Sequence, residues 1–457
     1  MPDTPTHDAR SDAPADSAPR ISVIGTGYLG ATHAAAMAAL GFQVVGYDTD
    51  ADKVRALSMG KVPFYEPGLD ELLAEQVGAG RLRFTTDAAD AVADADVHFI
   101  CVGTPQQPGS NAADLRYVEA ATRTVAEHLT RDALLVGKST VPVGTGARLR
   151  RMLADVAPDG VAAELVWNPE FLREGKAVED TLRPDRIVLG GVTERSEALL
   201  RRVYARPIED GTPVVVCDLP TAELVKVSAN AFLATKISFI NAVASVCEAA
   251  DADVTVLADA IGLDVRIGRK FLDAGLGFGG GCLPKDIRAL MHRAGELGAY
   301  RMAGLLQHVD EINMGQREAV VDLALSACGG SVLNRSIGVL GAAFKPETDD
   351  VRDSPALNVA AALHLRGAQV KVYDPAAAET ARRTFPTLTY ASSTEEAVAD
   401  SDLVLVLTEW QQFVSADPAA LARLTSTPRV IDARGKLDAA AWRAAGWEFR
   451  GLGRPGA

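Results

Sequence analysis

The sequence predicts an α/β protein: two domains built on mainly parallel sheets, joined by a central all-helical domain. Three observations carry this. Strand-like runs alternate with helical stretches from residue 20 to about 215, the texture turns helical to about 326, and the alternation returns from 336. The second alternation also echoes the first: "GFQVVGYD" at 41–48 is answered by "GAQVKVYD" at 367–374, and "DAVADADVHFI" at 90–100 by "EAVADSDLVLV" at 396–406. The expected organisation is a tail at 1–19, a first sheet domain at 20–215, a helical domain at 216–326 and a second sheet domain at 327–457. A chain of 457 residues is too long for one ordinary core, which agrees with this division.

The opening "MPDTPTHDARSDAPADSAPR" is rich in Pro, Asp, Ala and Ser and has no apolar stretch, so it is expected to be a disordered tail and not a signal peptide. A net charge of -14 argues against nucleic acid or an anionic membrane as partner. The five cysteines are scattered and nowhere form CxxC, which fits reduced thiols in a cytoplasmic protein and no metal site. The most apolar helical stretch, "NAFLATKISFINAVASV", is interrupted by Lys236 and several polar residues, and so falls short of an uninterrupted membrane span.

The first domain opens with "ISVIGTGYLGATHAAAMAALGFQVVGYD", a strand, a glycine turn, a helix and a second strand. Gly25, Gly27 and Gly30 form GxGxxG: the first permits the turn, the second lets backbone approach a pyrophosphate, the third lets helix pack on strand, with Tyr28 and Leu29 between them. Asp48 ends the second strand, where a carboxylate binds a ribose diol, and Thr49 follows with no arginine for a 2′-phosphate. The domain is therefore read as Rossmann-like, with NAD favoured over NADP. The last domain is Rossmann-like in its alternation but has no such turn. Lys345 and Arg352 stand in its place, either as ligands of another phosphate-bearing molecule or as solvated loop charges.

In the middle, "TAELVKVSANAF" starts a long helix with Thr221 as its expected N-cap. Lys226 and Asn230 share one face at four-residue spacing. They fit either a snorkelling lysine or a pair holding an oxyanion. Glu170 and Glu174 in "WNPEFLREG" have the same spacing and fit either a proton-transfer group and a cofactor contact or an acidic helix start. The strongest single feature is "GLGFGGGCLPKD", where Cys282 follows five glycines and precedes Lys285 and Asp286. With a helix starting at Pro284, thiol, lysine and carboxylate would face one cavity. The alternative is a tight turn in which the cysteine only packs.

These residues resemble a known family, the nucleotide-sugar dehydrogenases, specifically those that oxidise UDP-glucose. The likeness runs in order through "GTGYLG", "CVGTP", "STVPVGT", "NPEFLREG", "AELVKVSANAF", "RIGRKFLDAGLGFGGGCLPKD", "FKPETDDVRDSP" and "DARG". It implies a four-electron, NAD-dependent oxidation of UDP-glucose to UDP-glucuronate through an aldehyde, a thiohemiacetal and a thioester on Cys282. By the same resemblance Lys226 and Asn230 would settle the oxyanion and the water, Glu170 would assist proton transfer, and Asp286 would orient the water. Thr140 would serve both chemistry and cofactor, and Lys53, Thr104, Glu174, Lys285 and Arg352 would line the cofactor. Phe171, Leu172, Phe278, Gly279, Phe344, Lys345 and Arg434 would face the sugar nucleotide. Arg266 would reach it across a dimer interface built on the helical middle. The glycines before the thiol would leave room for sugar and nicotinamide together. Gly281 and Leu283 depart from the Ser and Phe common around this cysteine, and neither change removes a reacting group.

Three rival enzymes share parts of this pattern, of which a UDP-N-acetylmannosamine dehydrogenase is disfavoured because those enzymes resemble "GGHC" where this chain has "GGGC". A GDP-mannose dehydrogenase has the same thiol motif but matches "RIGRKFLDAG" less closely; a two-electron hydroxyacid dehydrogenase needs neither the cysteine nor a third domain. A non-catalytic nucleotide-sugar sensor is a fourth alternative, disfavoured by intact candidates at every reacting position.

Overall fold

The structure is a computed structural model and describes residues 18–454. Most of the expected tail, residues 1–17, lies outside the described residues. The first sheet contains β1 (Ile21–Ile24), β2 (Val44–Tyr47), β3 (Leu82–Thr85), β4 (Val97–Ile100), β5 (Ala133–Gly137), β6 (Ala163–Trp167), β7 (Ile187–Gly190) and β8 (Val214–Cys217). Their order is β3-β2-β1-β4-β5-β6-β7-β8, parallel except where β6 meets β7. Strands β1, β4 and β5 are buried along their whole length, as apolar runs must be in a parallel sheet covered on both faces.

The second sheet contains β9 (Ser336–Leu340), β10 (Gln369–Tyr373), β11 (Thr389–Tyr390), β12 (Leu403–Val406), β13 (Arg429–Asp432) and β14 (Glu448–Gly451). Its order, β11-β10-β9-β12-β13-β14, repeats that of the first six strands of the other sheet and is parallel throughout. The sequence echo has a shared physical basis. Asp48 after β2 accepts from Thr26 N at 2.9 Å, and Asp374 after β10 accepts from Ala342 N at 2.7 Å and Ala343 N at 2.9 Å. Each carboxylate ties down the turn that follows its neighbouring strand.

Between the sheets lie helices Leu219–Ala250, Val254–Gly262, Leu283–Glu296 and Tyr300–Ala327. The expected cap Thr221 is instead inside the first turn. Asp218 caps the helix by accepting from Thr221 N at 2.7 Å, and Pro220 occupies the first turn, where its missing N–H costs nothing. Strand β8 runs to Cys217 and the last central helix to Ala327, so the expected junctions at 215 and 326 fall inside an element. Leu219–Ala250 is long and apolar enough, by length and composition, to cross a membrane; here its buried face packs Val227, Ala231 and Ala234 against Ile287, Leu290, Leu306 and Val309.

Residues 275–281 run without regular structure between the helices and the second sheet, and several of their backbone groups find partners on both sides. Gly275 N donates to Asn241 Oδ1 at 2.8 Å, Leu276 N to Ala433 O at 2.7 Å, Phe278 N to Asn313 Oδ1 at 2.8 Å and Gly280 N to Arg352 O at 2.9 Å.

Candidate active site

Cys282 sits at the end of that segment, as the residue before helix Leu283–Glu296, which starts one residue earlier than the expected Pro284. Asp286 N donates to Cys282 O at 2.9 Å, which closes the first turn and sets thiol and carboxylate on one side. The long helix supplies the opposite wall: Lys226 and Asn230 are both buried on its inner face. Lys226 Nζ stands 3.1 Å from Glu170 Oε1, and Asn230 Nδ2 donates to Asp286 Oδ2 at 2.7 Å. Lys285 Nζ bonds Asp286 Oδ1 at 2.7 Å and reaches Thr104 Oγ1 at 3.4 Å; Thr104 Oγ1 in turn donates to the Thr140 carbonyl at 2.7 Å. Residues from the loops after β4, β5 and β6 and from two central helices thus converge beside Cys282.

The charges decide its state. Cys282 is open to solvent on one side, yet the protein crowding its sulfur, with the carboxylates of Asp286, Glu170 and Glu174, pushes the thiol up to about 12 against the pull of Lys226. A helix N-terminus alone would favour the thiolate, but its contribution of about 1 kcal/mol is outweighed. Burial would lower the Lys226 ammonium, but Glu170, Cys282 and Asp286 hold it above its ordinary value. Without ligands the site therefore holds a neutral thiol beside a lysinium.

Glu170 and Glu174 are not on a helix; both sit in the irregular segment after β6. Glu170 Oε2 accepts from Leu172 N at 2.7 Å, and the Phe171 ring lies beneath Arg186 at 3.7 Å and 5.6 Å from Lys226 Nζ. Glu174 faces the second sheet's first loop, 3.4 Å from Arg352 Nη2. Lys345 Nζ donates to the Glu174 carbonyl, and Arg352 pairs with Asp350 at 2.6 Å.

The glycine turn leads into Tyr28, whose hydroxyl lies 3.3 Å from Gly175 N, beside Glu174. Gly25 has φ +87, and a Cβ on Gly30 would lie 1.8 Å from Gly25 O, so neither position accepts a side chain. Above Gly27 there is open space, as a pyrophosphate approaching a helix N-terminus requires. Asp48 is buried at the end of β2 with Lys53 Nζ at 2.9 Å, and Leu29 is half-buried next to the turn. The residues present fit a dinucleotide.

Other expectations come out differently. The glycines before the thiol make room for protein: a Cβ on Gly275 would lie 2.6 Å from Ala433 O, one on Gly279 2.3 Å from Asp353 O, and one on Gly281 2.2 Å from the Arg352 guanidinium carbon. Gly280 lies against the Phe344 ring, and Phe278 is buried. Arg434 spends its guanidinium on the carbonyls of Leu407 (2.7 Å), Gly277 (2.9 Å) and Phe344 (3.1 Å), tying the thiol segment to the second sheet. Arg266 is not brought to the cluster; its side chain is 85% exposed and pairs with Asp264.

Two residues near the site were missed. Lys138 is buried with Nζ 2.9 Å from Asn168 Oδ1, and burial pushes it down to about 8; a lysine inside the apolar run "LLVGKST" was the available signal. Glu66, buried in the loop before helix Leu69–Gly78, accepts from Tyr28 OH, from Gly175 N at 2.6 Å and from Ala177 N at 2.7 Å. No local pattern marks it.

Three family profiles match the chain in order: the UDP-glucose/GDP-mannose dehydrogenase family's NAD binding domain at 19–208, its central domain at 220–315 and its UDP binding domain at 338–439. The chain belongs to this dehydrogenase family. It is an NAD-dependent oxidoreductase whose first family domain holds the glycine turn and whose UDP binding domain holds Lys345 and Arg352. Among its relatives, UDP-glucose 6-dehydrogenase TuaD of Bacillus subtilis (strain 168) is 42% identical over 95% of this chain and 93% of its own length. UDP-glucose 6-dehydrogenase of Rhizobium meliloti (strain 1021) is 42% identical over 95% of this chain and all of its own. The structure of a UDP-glucose dehydrogenase from Pyrobaculum islandicum superposes with a TM-score of 0.89 at 40% identity, covering 97% of this chain and 99% of that one.

Proposed function

We propose that the protein oxidises the C6 alcohol of UDP-glucose to the carboxylate of UDP-glucuronate, with Cys282 as covalent nucleophile. The observation that carries this is the convergence of one thiol, a buried lysine, an asparagine and two carboxylates at the junction of the two sheets. The choice of UDP-glucose rests on the names of the 42% identical relatives. Gly25, Gly27, Tyr28, Leu29, Gly30, Asp48, Lys53, Thr104, Thr140, Glu174, Lys285 and Arg352 would hold NAD. When bound, NAD takes a hydride from C6 in each of the two oxidations.

The chain's own groups do the rest. In the first oxidation Lys226 stabilises the developing alkoxide, and Glu170 accepts the hydroxyl proton. The Cys282 sulfur would then bond to the aldehyde carbon as the thiol gives up its proton to solvent, and the carbonyl oxygen would become an oxyanion facing Lys226 and Asn230. The second oxidation leaves a thioester. Water held by Asp286 and Asn230 attacks its carbonyl, the C–S bond breaks, and Cys282 regains a proton. Phe171, Leu172, Phe278, Gly279, Phe344, Lys345 and Arg434 would seat the sugar nucleotide, and Thr140 would border both ligands.

The reading includes a cytoplasmic homodimer built on the helical middle, whose exposed Phe232, Phe239 and Val246 form an unpaired apolar face. Arg266, free of this chain's own site, would reach the sugar nucleotide bound to the partner.

The deciding experiment counts NADH against sugar nucleotide consumed, with UDP-glucose and GDP-mannose side by side. About two NADH per UDP-glucose, and loss of acid formation in Cys282→Ala, is the expected result. One NADH per sugar, or a variant making acid at the parent rate, overturns the covalent reading.

A further inference from the structure

We infer that Glu66 is a positioning residue that couples cofactor binding to sugar-nucleotide binding. The inference rests on the functional reading above and concerns a residue outside its binding and reacting sets. Its basis is the way one loop is gripped. Residues 173–177 carry Glu174 between the two sheets. From the first domain, Glu66 takes the N–H groups of Gly175 (2.6 Å) and Ala177 (2.7 Å), and the same carboxylate accepts from Tyr28 OH, at the N-terminus of the helix that follows the glycine turn. From the second sheet, Lys345 donates to the Glu174 carbonyl, while Thr348 Oγ1 and Arg352 Nη2 each reach its carboxylate at 3.4 Å.

The residue beside Glu66 makes a direct bridge. Tyr65 N donates to Asp349 Oδ1 at 3.2 Å. Gly175, at φ +81, packs so closely on the second sheet's loop that a Cβ would lie 2.8 Å from Glu347 O. One buried carboxylate therefore holds the cofactor turn and the Glu174 loop in a single arrangement, and that loop is the surface onto which Lys345 and Arg352 close.

Among the described residues Glu66 has no cation at hydrogen-bond distance; its three partners there are neutral donors, two of them backbone. Removing it leaves Ala177 N unpaired and Gly175 N with only the Tyr28 hydroxyl at 3.3 Å, at a loop that both ligands need in the same place. A ligand that orders the Lys345 side then no longer prepares the Tyr28 side, and the coupling between sites is lost.

The test is equilibrium binding of NADH to the full chain, followed by its fluorescence, with and without saturating UDP. For the parent, UDP is expected to tighten NADH binding about tenfold. Glu66→Ala is expected to bind UDP alone within about twofold of the parent while the tightening falls close to unity. Tyr28→Phe removes one of the three donors and is expected to lose part of the coupling; it also serves if Glu66→Ala fails to fold. Glu66→Gln keeps an acceptor oxygen and is expected to fall between. Undiminished coupling in Glu66→Ala or Tyr28→Phe overturns the inference. So does an equal loss of UDP and NADH affinity alongside a lower melting temperature, which marks a merely structural role. A parent that binds neither UDP nor NADH overturns the functional reading and the inference with it.

Discussion

Glu174 shows how a single side chain records the meeting of the two sheets. Burial and Asp350 raise its carboxyl, Arg352 and Lys345 lower it, and the balance leaves it at about 7 against an ordinary 4.5. A carboxyl whose pKa rises on folding costs nothing below pH 4.5 and progressively more as pH climbs to 7, on the order of 3 kcal/mol in all. Glu174→Gln has no such penalty. Its stability relative to the parent is expected to rise between pH 5 and pH 8, read from denaturant midpoints at the two values. A flat difference would show that the carboxyl titrates normally. This environment was not legible in the sequence, because Asp350, Arg352 and Lys345 lie far along the chain. The pairings of 226 with 230 and of 282 with 286 were legible from helical spacing, while the reading of Lys226 as more than a snorkelling side chain came from the family resemblance. The ionisation of Cys282 and Lys226 was not legible, because both depend on Glu170 arriving from another domain.

The segment 275–281 behaves as an element in its own right, although it is neither strand nor helix. Asn313, on helix Tyr300–Ala327, acts as its stand-in partner: Oδ1 accepts from Phe278 N at 2.8 Å and Nδ2 donates to Phe278 O at 3.0 Å, as a neighbouring strand would. Asn313→Ala leaves both backbone groups buried and unpaired. It is expected to destabilise the fold by about 2 kcal/mol and to lower kcat more than that loss explains, because Cys282 hangs on this segment. Urea unfolding with parallel rate measurements separates the two effects, and a neutral variant would show that the segment holds itself. The long helix was legible as a helix, but its start was misplaced: Thr221 is a good capping residue, and Asp218 with Pro220 behind it is a better combination. The glycines were legible as close approach. What approaches is the second sheet's backbone and Arg352, and composition does not say which neighbour needs the space.

At the scale of the molecule the sequence revealed its repeat, since matching strand ends force matching carboxylates at Asp48 and Asp374. The added strands β7 and β8 and the antiparallel contact of β6 with β7 broke the symmetry without a local mark. The last stretch of chain has a different role. After β14 the backbone crosses back onto the central helices, where Val254 N donates to Gly453 O at 2.9 Å and Gly453 N to Glu248 Oε1 at 2.7 Å. A Cβ on Gly453 would lie 2.6 Å from a Val254 methyl, so this is a seated latch and not a trailing end. Protein trimmed back to Gly451 is expected to melt several degrees lower than the full chain, as loss of about 1–2 kcal/mol would produce in calorimetry; an unchanged melting temperature would show that the latch holds nothing. Anything attached beyond Arg454 has to leave Gly453 free to bind, because that short run is already employed as the stitch between the second sheet and the central helices.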